Sequence, residues 1–269
     1  YRAPVDFKNE EEATKYYLTI LREQIEFEGP ENIAAIFQET VVGSNGILIP
    51  PKGWMQGVRK LCDEYGILMV CDEVMAGWGR TGEWFAINNW NIKPDIITFA
   101  KGVTCGYVPL GGTIVSKEIA KFFDENKLWC GLTYSGHPMG CAVACAIIDV
   151  YKEEKLIENS KKMGEVLGGI LEELKEKHLC VGDVRYIGLF SAIELVKDKE
   201  TKQPLVPYGK DPDGIMKKIL SMLRKEGFWN YSHDNVLIIA PPLIIKETQL
   251  REAMDIMDKV LDFIDSMIR

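Results

Sequence analysis

Several features that mark specialised classes of protein are missing from this sequence of 269 residues. Basic residues are not in excess, since 32 Lys and Arg stand against 40 Asp and Glu and the net charge is −8. Binding to nucleic acid or to an anionic membrane needs clustered positive charge, so neither partner is expected. No apolar run approaches the ~20 residues that span a bilayer, and the N-terminal residues do not resemble a signal peptide. We therefore expect a cytoplasmic protein.

Cysteine pairs are also missing. The cysteines are odd in number, scattered and mostly embedded in apolar sequence, with no Cys-x-x-Cys pair: Cys62, Cys71, Cys105, Cys130, Cys141, Cys145 and Cys180. Such a distribution is typical of reduced thiols in a protein core. We expect neither a disulfide framework nor a metal site.

What the sequence does have is 46% hydrophobic residues, arranged as alternating strands and helices. An amphipathic helix at 53–66 lies between apolar strands at 32–39 and 67–72, and further strands are predicted at 95–100 and 110–116. Strands that alternate with helices in this way are joined by right-handed crossovers. The pattern predicts an α/β fold with a mainly parallel sheet.

The sequence changes character in its second half. A helix at 137–154 leads out of the predicted sheet, and the segment 181–196 begins a second, smaller lobe. The charged, Pro- and Gly-rich segment 197–214 is predicted to be mobile. We therefore predict two domains, 1–154 and 155–269.

The stretch ILMVCDEVMAGWGRTG at 67–82 is open to several interpretations. Its Gly-x-Gly-x-x-Gly string is too far from the strand for a dinucleotide clamp, and the sequence after Gly82 is a poor helix. The acidic pair Asp72 and Glu73 resembles a magnesium-binding strand end, but the sequence has no phosphate loop of the ATPase type. A third interpretation is that the two carboxylates only cap a turn.

A lysine downstream favours a chemical role for the acidic pair. Lys101 directly follows the apolar strand 95–100, where an ammonium group loses solvation. A desolvated lysine is easily deprotonated, and the neutral amine can form a Schiff base with an aldehyde. A pyridoxal cofactor needs such an amine and a carboxylate on its ring nitrogen. Asp72 and Lys101 both stand at carboxyl ends of predicted parallel strands, where α/β sheets bind ligands.

Six blocks of sequence, in order, then resemble the class-III, or omega, aminotransferases of the fold type I pyridoxal phosphate superfamily. The blocks are ILMVCDEVMAGWGRTGEWFA, KPDIITFAKG, PLGGTIVS, LTYSGHPMGCAVA, DVRYIGLFSAIELV and APPLIIK. The resemblance implies a three-layer, mainly parallel large domain, of which 1–154 is the C-terminal part, and a smaller C-terminal α+β domain. It also implies pyridoxal 5′-phosphate as cofactor, with an amino donor and a 2-oxo acid acceptor as substrates.

Individual roles also follow from the resemblance. Asp72 is the carboxylate on the pyridine nitrogen, and Val74 packs on the face of the ring. Lys101 forms the Schiff base and then acts as the base that moves the substrate proton. Thr133 resembles the threonine that reaches the cofactor phosphate of the neighbouring subunit, which implies a homodimer. Glu39 resembles a glutamate that in some members pairs with a substrate-binding arginine, which implies that Glu39 is a substrate-binding residue.

The sequence departs from the family pattern in two places. Met75 stands where many members have a glutamine that bonds the cofactor's phenolic oxygen. Members that hold an α-carboxylate have an arginine before the APPL block, but no arginine occurs between Phe228 and Lys246. The second departure predicts a donor whose amine is remote from an α-carboxylate, such as a terminal amine, an ω-amino acid or an aminosulfonate like taurine.

The phosphate cup and the ring-stacking aromatic of the family are not found in this sequence, which begins at Tyr1 rather than Met. We therefore expect the chain to be part of a longer protein and the isolated chain to be inactive without the rest. Two alternatives stay open: an aminomutase or epimerase of the same family, and a catalytically silent fragment that serves folding or dimerisation.

Overall fold

A four-stranded sheet forms the first half of the fold in a computed structural model that describes residue 2 and residues 5–268. Its strands are β1 (Ala35–Glu39), β2 (Leu68–Asp72), β3 (Ile96–Phe99) and β4 (Gly112–Val115), in that order across the sheet. The first three strands are parallel, and β4 is antiparallel to β3. The helices of this half are α1 (Glu10–Glu28), α2 (Trp54–Tyr65) and α3 (Lys117–Glu125).

One face of this sheet is covered by α1 and α2. The apolar side of α2 packs on alternate strand residues, and the buried cluster contains Met55, Val58, Leu61, Cys62, Met69 and Cys71. This helix ends at Gly66, whose left-handed backbone (φ 68°) lets the chain turn directly into β2. On the opposite face, Phe37 is 63% exposed and Val115 is 38% exposed. The described residues therefore leave part of the second face open.

The second half of the chain forms an antiparallel sheet covered by helices. Across this sheet the strands lie in the order β5 (Val181–Ile187), β6 (Phe190–Asp198), β9 (Val236–Ile239) and β8 (Tyr231–His233). The short strand β7 (Gln203–Pro204) also pairs with β6. The helices that cover it are α5 (Leu156–Lys177), α6 (Ile215–Lys225) and α7 (Glu247–Ile268), whereas the preceding helix, α4 (Pro138–Glu153), packs on α5 and on the turn after β3. Buried side chains of α5, α6 and α7 share one hydrophobic cluster with the sheet.

Close backbone contacts join helix α5, the β5–β6 turn and the loop after β2. A Cβ atom on Gly164 of α5 would collide with the backbone of Gly188, and one on Gly188 would collide with the backbone of Thr81. Gly188 also has a φ of 56°, which favours glycine. Gly169 on the same helix faces open space instead.

The predicted fold class is confirmed, and the structure contains the strands predicted at 32–39, 67–72, 95–100 and 110–116 and the helices predicted at 53–66 and 137–154. Three expectations need correction. Helix α3 was not predicted. The segment 197–214 is not simply a mobile loop, because it contains β7 and the buried residues Leu205 and Val206, which pack in the second core. The cysteines are free, but Cys105, Cys130, Cys141 and Cys145 are exposed rather than in the core. The boundary between 154 and 155 stays a prediction.

Among the described residues, no helix combines the length and the apolar character that a membrane crossing requires.

Candidate active site

Polar residues line up across the carboxyl ends of the parallel strands. The strand register pairs Glu39 with Asp72, and Asp72 with Thr98. Residues paired in this way project from the same face of a sheet. Lys101 follows β3 after Ala100 and begins a short 3₁₀ turn, Lys101–Val103. Asp72 and Lys101 therefore leave neighbouring strands at the same edge of the sheet.

Asp72 is half-buried and uses one carboxylate oxygen to shape the backbone. Its Oδ1 accepts a hydrogen bond of 2.8 Å from the backbone N–H of Val74, which closes a tight turn at the end of β2. Within the described residues, Oδ2 accepts no hydrogen bond. The side chain is thus fixed by one oxygen, while the other can accept from a ligand.

Glu73, next to Asp72, is fully buried, and its contacts reach further along the chain than the turn cap considered from the sequence. Its two carboxylate oxygens accept from the Thr40 hydroxyl and from the backbone N–H groups of Ala86 and Ile87, each at 2.8 Å. Burial raises the pKa of Glu73, and these three donors oppose the rise. Glu73 therefore joins the end of β2 to the 3₁₀ turn Ala86–Trp90 and fixes the backbone that carries Asp72.

We expect Glu73→Gln to destabilise the fold. An amide has one acceptor oxygen, so its NH₂ group would face the N–H of Ala86 or Ile87 and leave that buried donor unpaired. The expected loss is about 1–3 kcal/mol in the free energy of unfolding, measured by urea titration. The matched control is Glu172→Gln on the exposed side of α5, which should stay within about 0.5 kcal/mol of the wild type. Equal stability of the two variants would contradict the assigned role of Glu73.

Lys101 has an unusual backbone conformation. Its φ of 45° lies in the left-handed region, which costs a residue with a side chain about 1–3 kcal/mol. Such a conformation persists only where surrounding contacts enforce it, and it is concentrated at functional sites. The turn begins here because the backbone N–H groups of Val103 and Thr104 bond back to Ala100 and Lys101.

The expectation of a desolvated ammonium at Lys101 is wrong for the described residues. Lys101 is exposed, and the residues of β3 are half-buried rather than buried. The reason is that the left-handed turn carries Lys101 past the end of the strand, while Val103 enters the apolar cluster instead. No carboxylate lies within ion-pair distance of Lys101 among the described residues.

The other residues singled out from the sequence lie in different surroundings. Glu39 is exposed, and its Oε2 accepts from the backbone N–H of Gly43 at 2.9 Å. The Met75 side chain packs on Gly43, so closely that a Cβ there would collide with the sulfur. Thr133 lies in the exposed segment between α3 and α4. No described hydrogen bond joins Thr133 to Asp72 or Lys101.

Arg80 has a structural role in the described residues. Its Nη1 donates to the backbone oxygens of Leu189, at 3.0 Å, and Pro241, at 2.6 Å. Burial lowers the pKa of Arg80, and no carboxylate pairs with it within the described chain. The side chain ties the loop after β2 to the second sheet.

The geometry fits a pyridoxal group. Asp72 supplies a charged acceptor for a ring N–H, and Lys101 supplies a primary amine that leaves the next strand at the same edge. The buried hydroxyl of Thr98, in line with Asp72, has no hydrogen-bond partner among the described residues, which marks a polar position that a ligand or further protein can satisfy.

Comparison with sequence profiles of protein families matches residues 1–261 to the family described as aminotransferase class-III. Among curated proteins, the chain is 35% identical over 252 residues to a taurine–pyruvate aminotransferase of Bilophila wadsworthia, covering 91% of this chain and 55% of that protein. It is 36% identical over 241 residues to a putrescine–pyruvate aminotransferase of Pseudomonas aeruginosa, covering 87% and 50%. The chain thus spans about half the length of these relatives.

Solved structures give the same result for the fold. A taurine:2-oxoglutarate aminotransferase from Bifidobacterium kashiwanohense, in complex with PLP and glutamate, superimposes with a TM-score of 0.94 at 48% identity. The match covers 98% of this chain and 59% of that one. An (S)-enantioselective omega-transaminase from Thermomicrobium roseum matches with a TM-score of 0.88 at 37% identity, over 95% of this chain and 57% of that one.

Proposed function

Because the chain belongs to the class-III aminotransferase family, we propose that the complete protein transfers an amino group to a 2-oxo acid with pyridoxal 5′-phosphate as cofactor. "Complete protein" here means the polypeptide that the source gene encodes, of which this chain is all or part. The donor we propose is an ω-amine, an ω-amino acid or an aminosulfonate, and the acceptor is pyruvate or 2-oxoglutarate. The observation that carries the proposal is the arrangement of Asp72 and Lys101 at one sheet edge.

The bound cofactor would supply an aldehyde that reacts with amines and a protonated ring that withdraws electrons. In our proposal the Lys101 amine would hold the aldehyde carbon of the bound cofactor. The same amine would move the proton between the substrate carbon and the cofactor's C4′ carbon. Asp72 Oδ2 keeps the proton on the pyridine nitrogen, and Val74 packs on the ring.

A homodimer is part of the same proposal. Thr133 would reach the cofactor phosphate of the neighbouring subunit. Its exposure supports this role, as do the neighbouring apolar side chains of Leu132 and Tyr134, which are 74% and 79% exposed. The free state of the cysteines supports a reducing compartment, which we propose to be the cytoplasm.

The choice of donor rests on the segment that surrounds β9. A bidentate arginine is the natural clamp for an α-carboxylate, but this segment has none, and Ile238 is buried in a hydrophobic cluster. Asn230 is also largely buried, and its Oδ1 has no hydrogen-bond partner among the described residues. In our proposal Glu39, which is in register with Asp72 on the neighbouring strand β1, binds substrate.

A donor panel on the complete protein tests the substrate. We expect the kcat/KM for taurine, β-alanine or a simple terminal amine to exceed that for α-amino acids, other than the acceptor's own product, by at least about tenfold, which corresponds to one lost specific interaction of about 1.4 kcal/mol. A preference for α-amino acids would overturn the donor assignment. An aminomutase or epimerase would instead turn over its substrate without pyruvate, so omission of the acceptor separates the two activities.

A further inference from the structure

A buried tyrosine in helix α4 contacts the turn that carries Lys101. Tyr151 is 3% exposed and belongs to an apolar cluster with Trp78, Val103 and Ala144. Its hydroxyl donates a hydrogen bond of 3.1 Å to the backbone oxygen of Gly102, the residue after Lys101. A phenol oxygen inside an apolar cluster needs a partner, and this carbonyl supplies it.

The opposite side of Gly102 is in contact with Trp78. A Cβ atom on Gly102 would lie 2.5 Å from the Trp78 Cβ, so there is no room for a side chain. The Trp78 ring is itself held by ring contacts, with centroid distances of 5.5 Å to Phe85 and 5.5 Å to Phe99. Gly102 is therefore confined by Trp78, while the Tyr151 hydroxyl fixes its carbonyl.

Two backbone hydrogen bonds close the turn, from the N–H of Val103 to Ala100 and from the N–H of Thr104 to Lys101, and neither uses the Gly102 carbonyl. Lys101 and Cys105, at its two ends, both have left-handed backbones, with φ of 45° and 49°. The Cys105 sulfur also lies 3.6 Å from the Gly102 oxygen and 3.6 Å from the Tyr151 hydroxyl. A strained conformation of this kind has to be stabilised by tertiary contacts.

We propose that Tyr151 is a positioning residue for Lys101: its hydroxyl fixes the Gly102 carbonyl and thereby keeps Lys101 in the left-handed conformation from which its amine reaches the cofactor aldehyde. The proposal rests on the proposed function, in which Lys101 is the cofactor lysine. Tyr151 acts through the backbone and does not itself touch the reacting atoms.

The chemical state of Tyr151 suits this role. Burial raises the pKa of Tyr151, and its contact with Cys105 raises it further. The hydroxyl therefore keeps its proton and remains a donor to the Gly102 carbonyl over the whole range in which a protein of this kind works. The titratable groups that face it are Cys105 and, at longer range, Arg80.

Tyr151→Phe on the complete protein tests the proposal, because it removes the hydroxyl and keeps the ring in its cluster. Without cofactor, hydrogen exchange of the amides of 102–105 is expected to become about tenfold faster, the equilibrium change for one lost hydrogen bond. With pyridoxal phosphate added, borohydride trapping of the cofactor on Lys101 should slow by a similar factor. The visible circular dichroism of the bound cofactor, which reports its orientation, should change as well.

Tyr65→Phe is the matched control. The Tyr65 hydroxyl, at the end of α2, donates to Glu26 and accepts from Arg22, so this variant also loses two hydrogen bonds but none near Lys101. It should leave exchange at 102–105, trapping and dichroism unchanged. If Tyr151→Phe does not fold, Cys105→Ala perturbs the same carbonyl from the exposed side of the turn and should change the same readouts in the same direction.

The outcomes separate the two proposals. If the wild type traps cofactor on Lys101 and Tyr151→Phe matches it in exchange, trapping and dichroism, the positioning role is wrong and the proposed function stands. If the wild type traps no cofactor on Lys101, the proposed function fails. The exchange experiment, done without cofactor, then still decides whether Tyr151 holds the turn.

Discussion

Lys101→Ala is expected to reduce amino transfer by the complete protein to a trace, by about 10⁴-fold or more, because the variant loses both the amine that holds the aldehyde and the base that moves the proton. The fold should persist, since Lys101 is exposed and makes no described ion pair. The measurement is single-turnover amino transfer alongside thermal unfolding.

Lys101→Arg is the control for charge alone. It keeps the positive charge but has no amine that loses its proton near neutral pH. We expect it to be as inactive as the alanine variant. Appreciable turnover in either variant would remove Lys101 from its proposed role.

Asp72→Asn is expected to lower kcat by between about two and four orders of magnitude, because loss of one partner from a desolvated ion pair costs about 3–5 kcal/mol. The asparagine oxygen can still accept from the Val74 N–H, so the turn at the end of β2 should survive. The effect would therefore report the charge at the ring nitrogen.

The control for this substitution is Asp255→Asn on the exposed side of α7, which loses the same charge far from the site. Its kcat should equal that of the wild type. The absorption spectrum of the bound cofactor, measured against pH, provides a second readout, since Asp72→Asn should favour the unprotonated ring. A fall in kcat of less than about tenfold would contradict the assignment of Asp72.

The sequence predicts the sheet edge well because the signals there are local. The apolar runs before Asp72 and Lys101 indicate strands, and the amphipathic segment between 53 and 66 indicates the crossover that makes them parallel. Helix α3 also had a local signal that was overlooked: Ser116 caps it by accepting from the backbone N–H of Ile119.

Other features of the site depend on contacts between residues distant in the chain. From the sequence, Glu73 is interpreted only as a residue that caps a turn. Nothing near it in the sequence indicates that the backbone N–H groups of Ala86 and Ile87 donate to its carboxylate. Tyr151 reaches Gly102 across 49 residues. The exposure of Lys101 depends on how far the left-handed turn extends past β3, which the apolar pattern of the strand does not encode.

The close backbone contacts among Gly164, Gly188 and Thr81 limit which substitutions this protein can accept during evolution. A side chain at Gly164 requires α5 to move away from the β5–β6 turn, and one at Gly188 requires that turn to move away from Thr81. A substitution at either glycine alone is therefore unfavourable. A lineage that loses one of these glycines must also acquire a change in the positions of α5 and the β5–β6 turn. Gly169, on the open side of the same helix, is free to vary without such a partner.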